Sequence, residues 1–73
     1  MMKWIQLDDQ TGQFEFKLPA EKIVVLQAII ESYEGVGIVR TVDRANQIVC
    51  IITTTSQKET CAEIIKAGNF LSP

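Results

Sequence analysis

The side chains able to do chemistry in this chain are few and far apart. Cys50 and Cys61 are the two thiols, Asp8 and Asp9 the one adjacent pair of carboxylates, Gly35-Val36-Gly37 the one glycine-x-glycine run, and there is no histidine. Structural zinc takes four Cys/His ligands and iron–sulfur clusters four thiolates, which two cysteines do not supply. Ten residues lie between the thiols, so they form no Cys-x-x-Cys redox pair. Cys50 falls in an apolar run with no base beside it, where lost hydration raises a thiol pKa rather than activating it. Both cysteines read as small buried hydrophobes. Without histidine the commonest general base is missing, and Asp8 and Asp9 sit in a turn-like cluster where backbone hydrogen bonding accounts for them. We expect no catalytic residue, no metal site, no cofactor and no enzyme.

The glycine pair raises a different possibility, a loop that cradles phosphate. Such loops follow a strand and open a helix, so that the helix N-terminal amides meet the anion. Here the order is reversed: the glycines follow a helical pattern and open a strand. Gly35 then serves as the left-handed residue past a helix end.

Composition narrows the partners. The chain has 73 residues, 47% hydrophobic and 22% charged, with a net charge of −2. That is the make-up of one globular domain, residues 1–73, rather than a disordered tail. Its seven basic residues are scattered along the chain, so no basic stripe is present to neutralise a phosphate backbone, and nucleic acid is not an expected partner. The start, "MMKWIQLDDQ", lacks an apolar run of signal length, and the run "IVVL" is broken by Gln27. No membrane segment is expected, and the cytoplasm is the expected compartment.

The elements that must position these residues follow from periodicity. "KWIQL" and "QFEFKL" alternate around the Asp-, Thr- and Gly-bearing cluster and predict a hairpin. Phe14, Phe16 and Leu18 share one side with Ile5 and Leu7, which leaves Trp4 and Gln6 beside Glu15 and Lys17. Pro19 opens a helix running to about Glu34, with Ile23, Leu26, Ile29, Ile30 and Tyr33 as its apolar stripe. "VGIVRTV" and "IVCIITTT" form a second hairpin through Asp43–Gln47, with Asn46 at the position that tolerates positive φ. That turn pairs Val42 with Ile48, Arg40 with Cys50 and Ile38 with Ile52. Ser56-Gln57-Lys58-Glu59 reads as a capping box for a second helix, which turns Cys61, Ile64 and Ile65 inward and ends at Gly68. Phe70 or Leu71 folds back on the core.

The order strand, strand, helix, strand, strand, helix defines an α+β domain. Moving the last strand of a ferredoxin-like sandwich to its front gives this order. We therefore expect a circularly permuted ferredoxin-like fold, a four-stranded antiparallel sheet with two helices on one face. Burying Glu15, Lys17 and Arg40 under the helices would cost several kcal/mol per uncompensated ion, about the penalty of any unpaired buried charge, so their side of the sheet is the open one. It then also carries Trp4, Ile38, Val42, Ile48, Cys50 and Ile52. An exposed apolar patch of roughly several hundred Å² usually has a partner, and covering it is worth on the order of 10 kcal/mol before association costs. Trp4, Ile38, Arg40, Ile48, Cys50 and Ile52 are the expected interaction residues of a homo-oligomer or of a module that binds another protein.

Three resemblances bear on function. The passage "YEGVGIVRTVD", within an outline spanning roughly residues 14 to 67, looks similar to ACT-type regulatory domains, where a helix ends in glycine and leads into a hairpin. That resemblance implies small-molecule sensing; the ACT turn that receives the ligand carries Asp and Gly, whereas this chain has Leu18-Pro19-Ala20. The outline is also related to the RRM, which implies RNA binding through aromatics on central strands; "QIVCIITTT" has none, and Phe14 and Phe16 point inward. The run "IIESYEGVGIVRTVDRANQIVCIITTTSQKETCAEII" resembles a family of short bacterial domains of unknown function, built on a Glu at the helix end, a Gly, "VRTVD" and an apolar strand. It implies a stand-alone bacterial protein and supplies no catalytic residue.

Overall fold

The computed structural model describes residues 2–70. Its elements run β1 (Lys3–Gln6), β2 (Thr11–Lys17), α1 (Ala20–Glu31), β3 (Ile38–Asp43), β4 (Ile48–Thr54), a single 3-10 turn (Thr55–Gln57) and α2 (Lys58–Ala67). The expected order of four strands and two helices is the order found. The strands form one antiparallel sheet in the spatial order β1-β2-β4-β3.

Alternation makes the sheet two-sided. Phe14 and Phe16 of β2 and Val49 and Ile51 of β4 are buried in one apolar cluster with Leu26 and Ile30 of α1 and Cys61 and Ile65 of α2. Both helices therefore cover the same face. Thr53 is the buried polar side chain of this core, and its hydroxyl donates to the Val36 carbonyl at 2.6 Å. The bond satisfies a group that would otherwise be costly and ties the chain after α1 to the end of β4. Phe70 folds back into the same cluster over Gly68, where a Cβ would run into its ring. Phe70 thus makes the expected return to the core; Leu71, the alternative, lies outside the described residues with the rest of 71–73.

Local chemistry moves several boundaries. α1 begins after Pro19 but stops at Glu31 rather than Glu34. Ser32 ends it: its hydroxyl donates to the Ile29 carbonyl at 2.6 Å, a local bond that competes with helix continuation. Tyr33, expected on the buried stripe, is consequently exposed in the loop, where Gly35 takes a φ of +73°. The capping box does not form. The chain enters α2 through the 3-10 turn, so Ser56 is already inside a helical turn; its hydroxyl pairs with that of Thr54 at 3.1 Å, and no side chain caps α2.

The second hairpin pairs Ile38 and Arg40 with Ile52 and Cys50 as expected, and Thr41 with Val49, but Asp43 rather than Val42 faces Ile48. The Asp43 carboxylate closes the turn, accepting the Asn46 backbone N–H at 3.1 Å and its side-chain amide at 2.7 Å. Holding Asp43 at the mouth of the loop leaves β3 one residue too long for a regular ladder, and Val42 is the residue bulged out. The left-handed residue is Gln47, with φ +59°, instead of Asn46.

In the first hairpin β2 keeps its expected faces, with Phe14, Phe16 and Leu18 buried, whereas β1 reverses them. Trp4 pairs with Phe14 and Gln6 with Gly12, while Ile5 pairs with Gln13. Trp4 is therefore on the helix side and Ile5 on the open side. The indole meets the Phe14 ring edge-on, centroids 4.9 Å apart, and the Lys58 ammonium sits 4.6 Å above it. Its Nε1 donates to Gln6 Oε1 at 3.0 Å. Apolar alternation allows either register; Gly12 decides between them, because a Cβ there would occupy the space the indole fills. Gly12→Ala should accordingly cost about 1–3 kcal/mol in urea unfolding, the usual range for overpacking, and far less in a Trp4→Ala background. Equal costs in the two backgrounds would show that the indole is not what Gly12 accommodates.

Candidate functional site

Strand pairing arranges the face away from the helices in rows. One row runs Ile5, Gln13, Ile52, Ile38, and the next Lys3, Glu15, Cys50, Arg40; Lys17 and Ile48 belong to a third, completed by Asp43 at the bulge. Five of the six expected interaction residues, Ile38, Arg40, Ile48, Cys50 and Ile52, meet here. Trp4 does not, for the reason given above. Ile5 takes its place, and the signal that could have found it is Gly12, the small residue that draws the indole to the other side.

The apolar side chains of this face are unevenly covered. Ile38 is 58% exposed at the sheet edge, Ile48 and Ile52 are half-buried, and Cys50, the smallest, is 3% exposed beneath its neighbours. Burial, and then the Glu15 carboxylate, push the Cys50 thiol above its ordinary pKa, against an opposing pull from Arg40. It is a protonated, shielded group rather than a nucleophile. Glu15 accepts a hydrogen bond from the Gln13 amide at 3.0 Å. The large aromatics of the sheet, Trp4, Phe14 and Phe16, all lie on the helix side, so the open face offers no ring on which a base could stack.

Two further carboxylates, Asp8 and Asp43, are occupied locally. Asp8 Oδ1 accepts the N–H groups of Gln10 and Thr11, each at 2.8 Å, which closes the first hairpin. The Gln10 bond, the larger effect, and those to Thr11 hold the Asp8 carboxyl below its usual pKa, and the bonds from Asn46 do the same for Asp43. Among the described residues no group of three or more His, Cys, Asp or Glu side chains is placed to hold a metal ion. No helix among them is long and apolar enough to cross a membrane. A cavity of about 280 Å³ lies between the start of α1 and the β3–β4 turn, lined by Leu18, Ala20, Ile23, Val24, Thr41, Arg44, Gln47 and Val49.

These features define an α+β domain with one shielded and one unshielded sheet face. Residues 16–67 match the family model described as Domain of unknown function (DUF4911), and the chain belongs to that family. The match takes in the end of β2 and everything from α1 through α2, leaving out β1. No curated protein and no solved structure matches the chain.

The thiols make one behaviour measurable. Cys61 is fully buried, and that burial pushes its pKa from an ordinary 9.0 up to about 11. The folded chain keeps a proton that the unfolded chain releases, so stability is intact below the unfolded value and declines as pH rises from about 9 toward 11. Cys61→Ala should lower stability at neutral pH yet flatten this alkaline decline. Denaturant unfolding at stepped alkaline pH checks it, and an unchanged slope in the variant would refute the assignment.

Proposed function

We propose that this domain is a self-associating module whose open sheet face is its docking surface. The observation that carries the reading is the outer side of β4: Ile48, Cys50 and Ile52 lie in line, with Ile5 and Ile38 toward the two edges, while α1, α2 and Phe70 all pack on the opposite side. A chain this short hides only about 60 to 65% of its unfolded surface by itself, so a second layer over this face adds stability that the two helices do not supply. The spatial order β1-β2-β4-β3 supports the permuted ferredoxin-like reading of the fold, with β1 in the place beside β2 that a strand following α2 would otherwise take. Among the described residues no element of that arrangement covers the open face.

Sedimentation equilibrium at micromolar concentration tests the proposal. We expect a dimer or larger assembly, dispersed to monomer by Ile52→Glu, which places an unpaired charge in the centre of the patch, with the fold retained by circular dichroism. A wild-type chain that stays monomeric, or an Ile52→Glu variant that associates as before, would set the proposal aside.

Small-molecule sensing of the ACT type is a second reading, favoured by the cavity beside Thr41, Arg44 and Gln47. Its volume of about 280 Å³ falls just short of the usual range for ligand pockets, which begins at about 300 Å³. A thermal-shift screen with amino acids and nucleotides reads it directly: a raised melting temperature with one ligand class supports sensing, and no shift with any removes it.

A further inference from the structure

We infer that the partner is a second copy of this chain, docked through a two-fold axis running along β4, so that Glu15 of each chain lies against Arg40 of the other. The inference rests on the proposed association through the open face and adds its geometry. A dimer built from one patch is isologous: whatever residue i touches, the partner's copy of that residue touches i. For two sheets packed face to face, the axis lies in the plane between them, and it can run along the strands or across them. Charge separates an axis along β4 from one across the strands through the charged row.

An axis across the strands, along the row Lys3, Glu15, Cys50, Arg40, would place each of the three charged side chains against its own copy. An axis along β4 places only β4 residues against their own copies, and on this face those are Ile48, Cys50 and Ile52, none of them charged. The same rotation exchanges β2 with β3. Glu15 and Arg40 both pair with Cys50, one from each side, and neighbouring strands are about equally spaced, roughly 4.8 Å. The rotation therefore carries Arg40 onto the position opposite Glu15, twice in the dimer. Packed sheets lie about 10 Å apart with strands within about 30° of one another, a gap that a glutamate and an arginine reaching toward each other can bridge with charge-assisted hydrogen bonds. Within one chain the two groups stand on opposite sides of Cys50, Glu15 is hydrogen-bonded to Gln13, and Arg40 is exposed. Cys50 faces its own copy on the axis, but across about 10 Å the two cannot form a disulfide, which needs Cα atoms within roughly 7 Å.

Charge reversal distinguishes this geometry from any other use of the same face. Glu15→Arg and Arg40→Glu, prepared separately, should each weaken the dimer about 100-fold by bringing like charges together. An equimolar mixture should recover dimers, because each interface contact then joins an arginine of one chain to a glutamate of the other. The double exchange Glu15→Arg/Arg40→Glu in a single chain should also dimerise with near wild-type strength, and it reads the same contact should either single variant fold poorly. Sedimentation equilibrium and native mass spectrometry of the mixture follow the outcome. A wild-type dimer with single variants that dimerise unchanged, or a mixture and a double exchange that both remain monomeric, would overturn the axis and leave open-face association standing. A monomeric wild-type chain would remove both.

Discussion

An antiparallel sheet with helices on one side keeps its other side wet by making every second residue polar, and β4 does not meet that condition. Val49 and Ile51 are completely buried against the helices, and Ile48, Cys50 and Ile52 are apolar on the reverse. β4 also lies between β2 and β3, so its backbone is paired along both edges. The rest of the fold is arranged around this strand. α1 and α2 close over its inner side, Thr53 near its end holds the Val36 carbonyl, and Leu18 donates its N–H to the Gln47 carbonyl just before it begins. What the helices leave uncovered is the outer side of the same strand, and the functional reading follows from that residue pattern rather than from any reactive group.

How far this could be read from sequence depends on which interaction decides each feature. Element order, the buried phenylalanines and most of the second hairpin register were legible, because strict alternation in "QFEFKL" and a compact turn leave few alternatives. The features that moved are each settled by a single local contact. Ser32 spends its hydroxyl on the preceding turn and shortens α1; Asp43 closes its loop and displaces Val42; a 3-10 turn takes Ser56 away from the capping position. Periodicity is blind to such contacts, since none alters the apolar pattern.

The candidate surface shows the same division. Its centre, on β4 and β3, was legible because Arg40 and Glu15 cannot cheaply be placed under the helices, and their faces carry Ile38, Ile48, Cys50 and Ile52 with them. Its edge was misjudged at Trp4. The preference of an indole for the core is general, but whether it can reach the core depends on space two residues along the neighbouring strand. Gly12 provides that space, a fact about a pair of strands rather than about either one.

The bulge at Val42 changes what the free edge of the sheet can do. β3 is an edge strand, and a regular edge is a template onto which further chains can add. With Val42 displaced between Thr41 and Asp43, the free amides and carbonyls along that margin lose their even spacing and the strand twists locally. Lateral extension into a fibril-like ribbon is hindered on this side by backbone geometry alone. The irregularity is a backbone obstacle to edge-to-edge addition of further strands at β3, independent of any side chain.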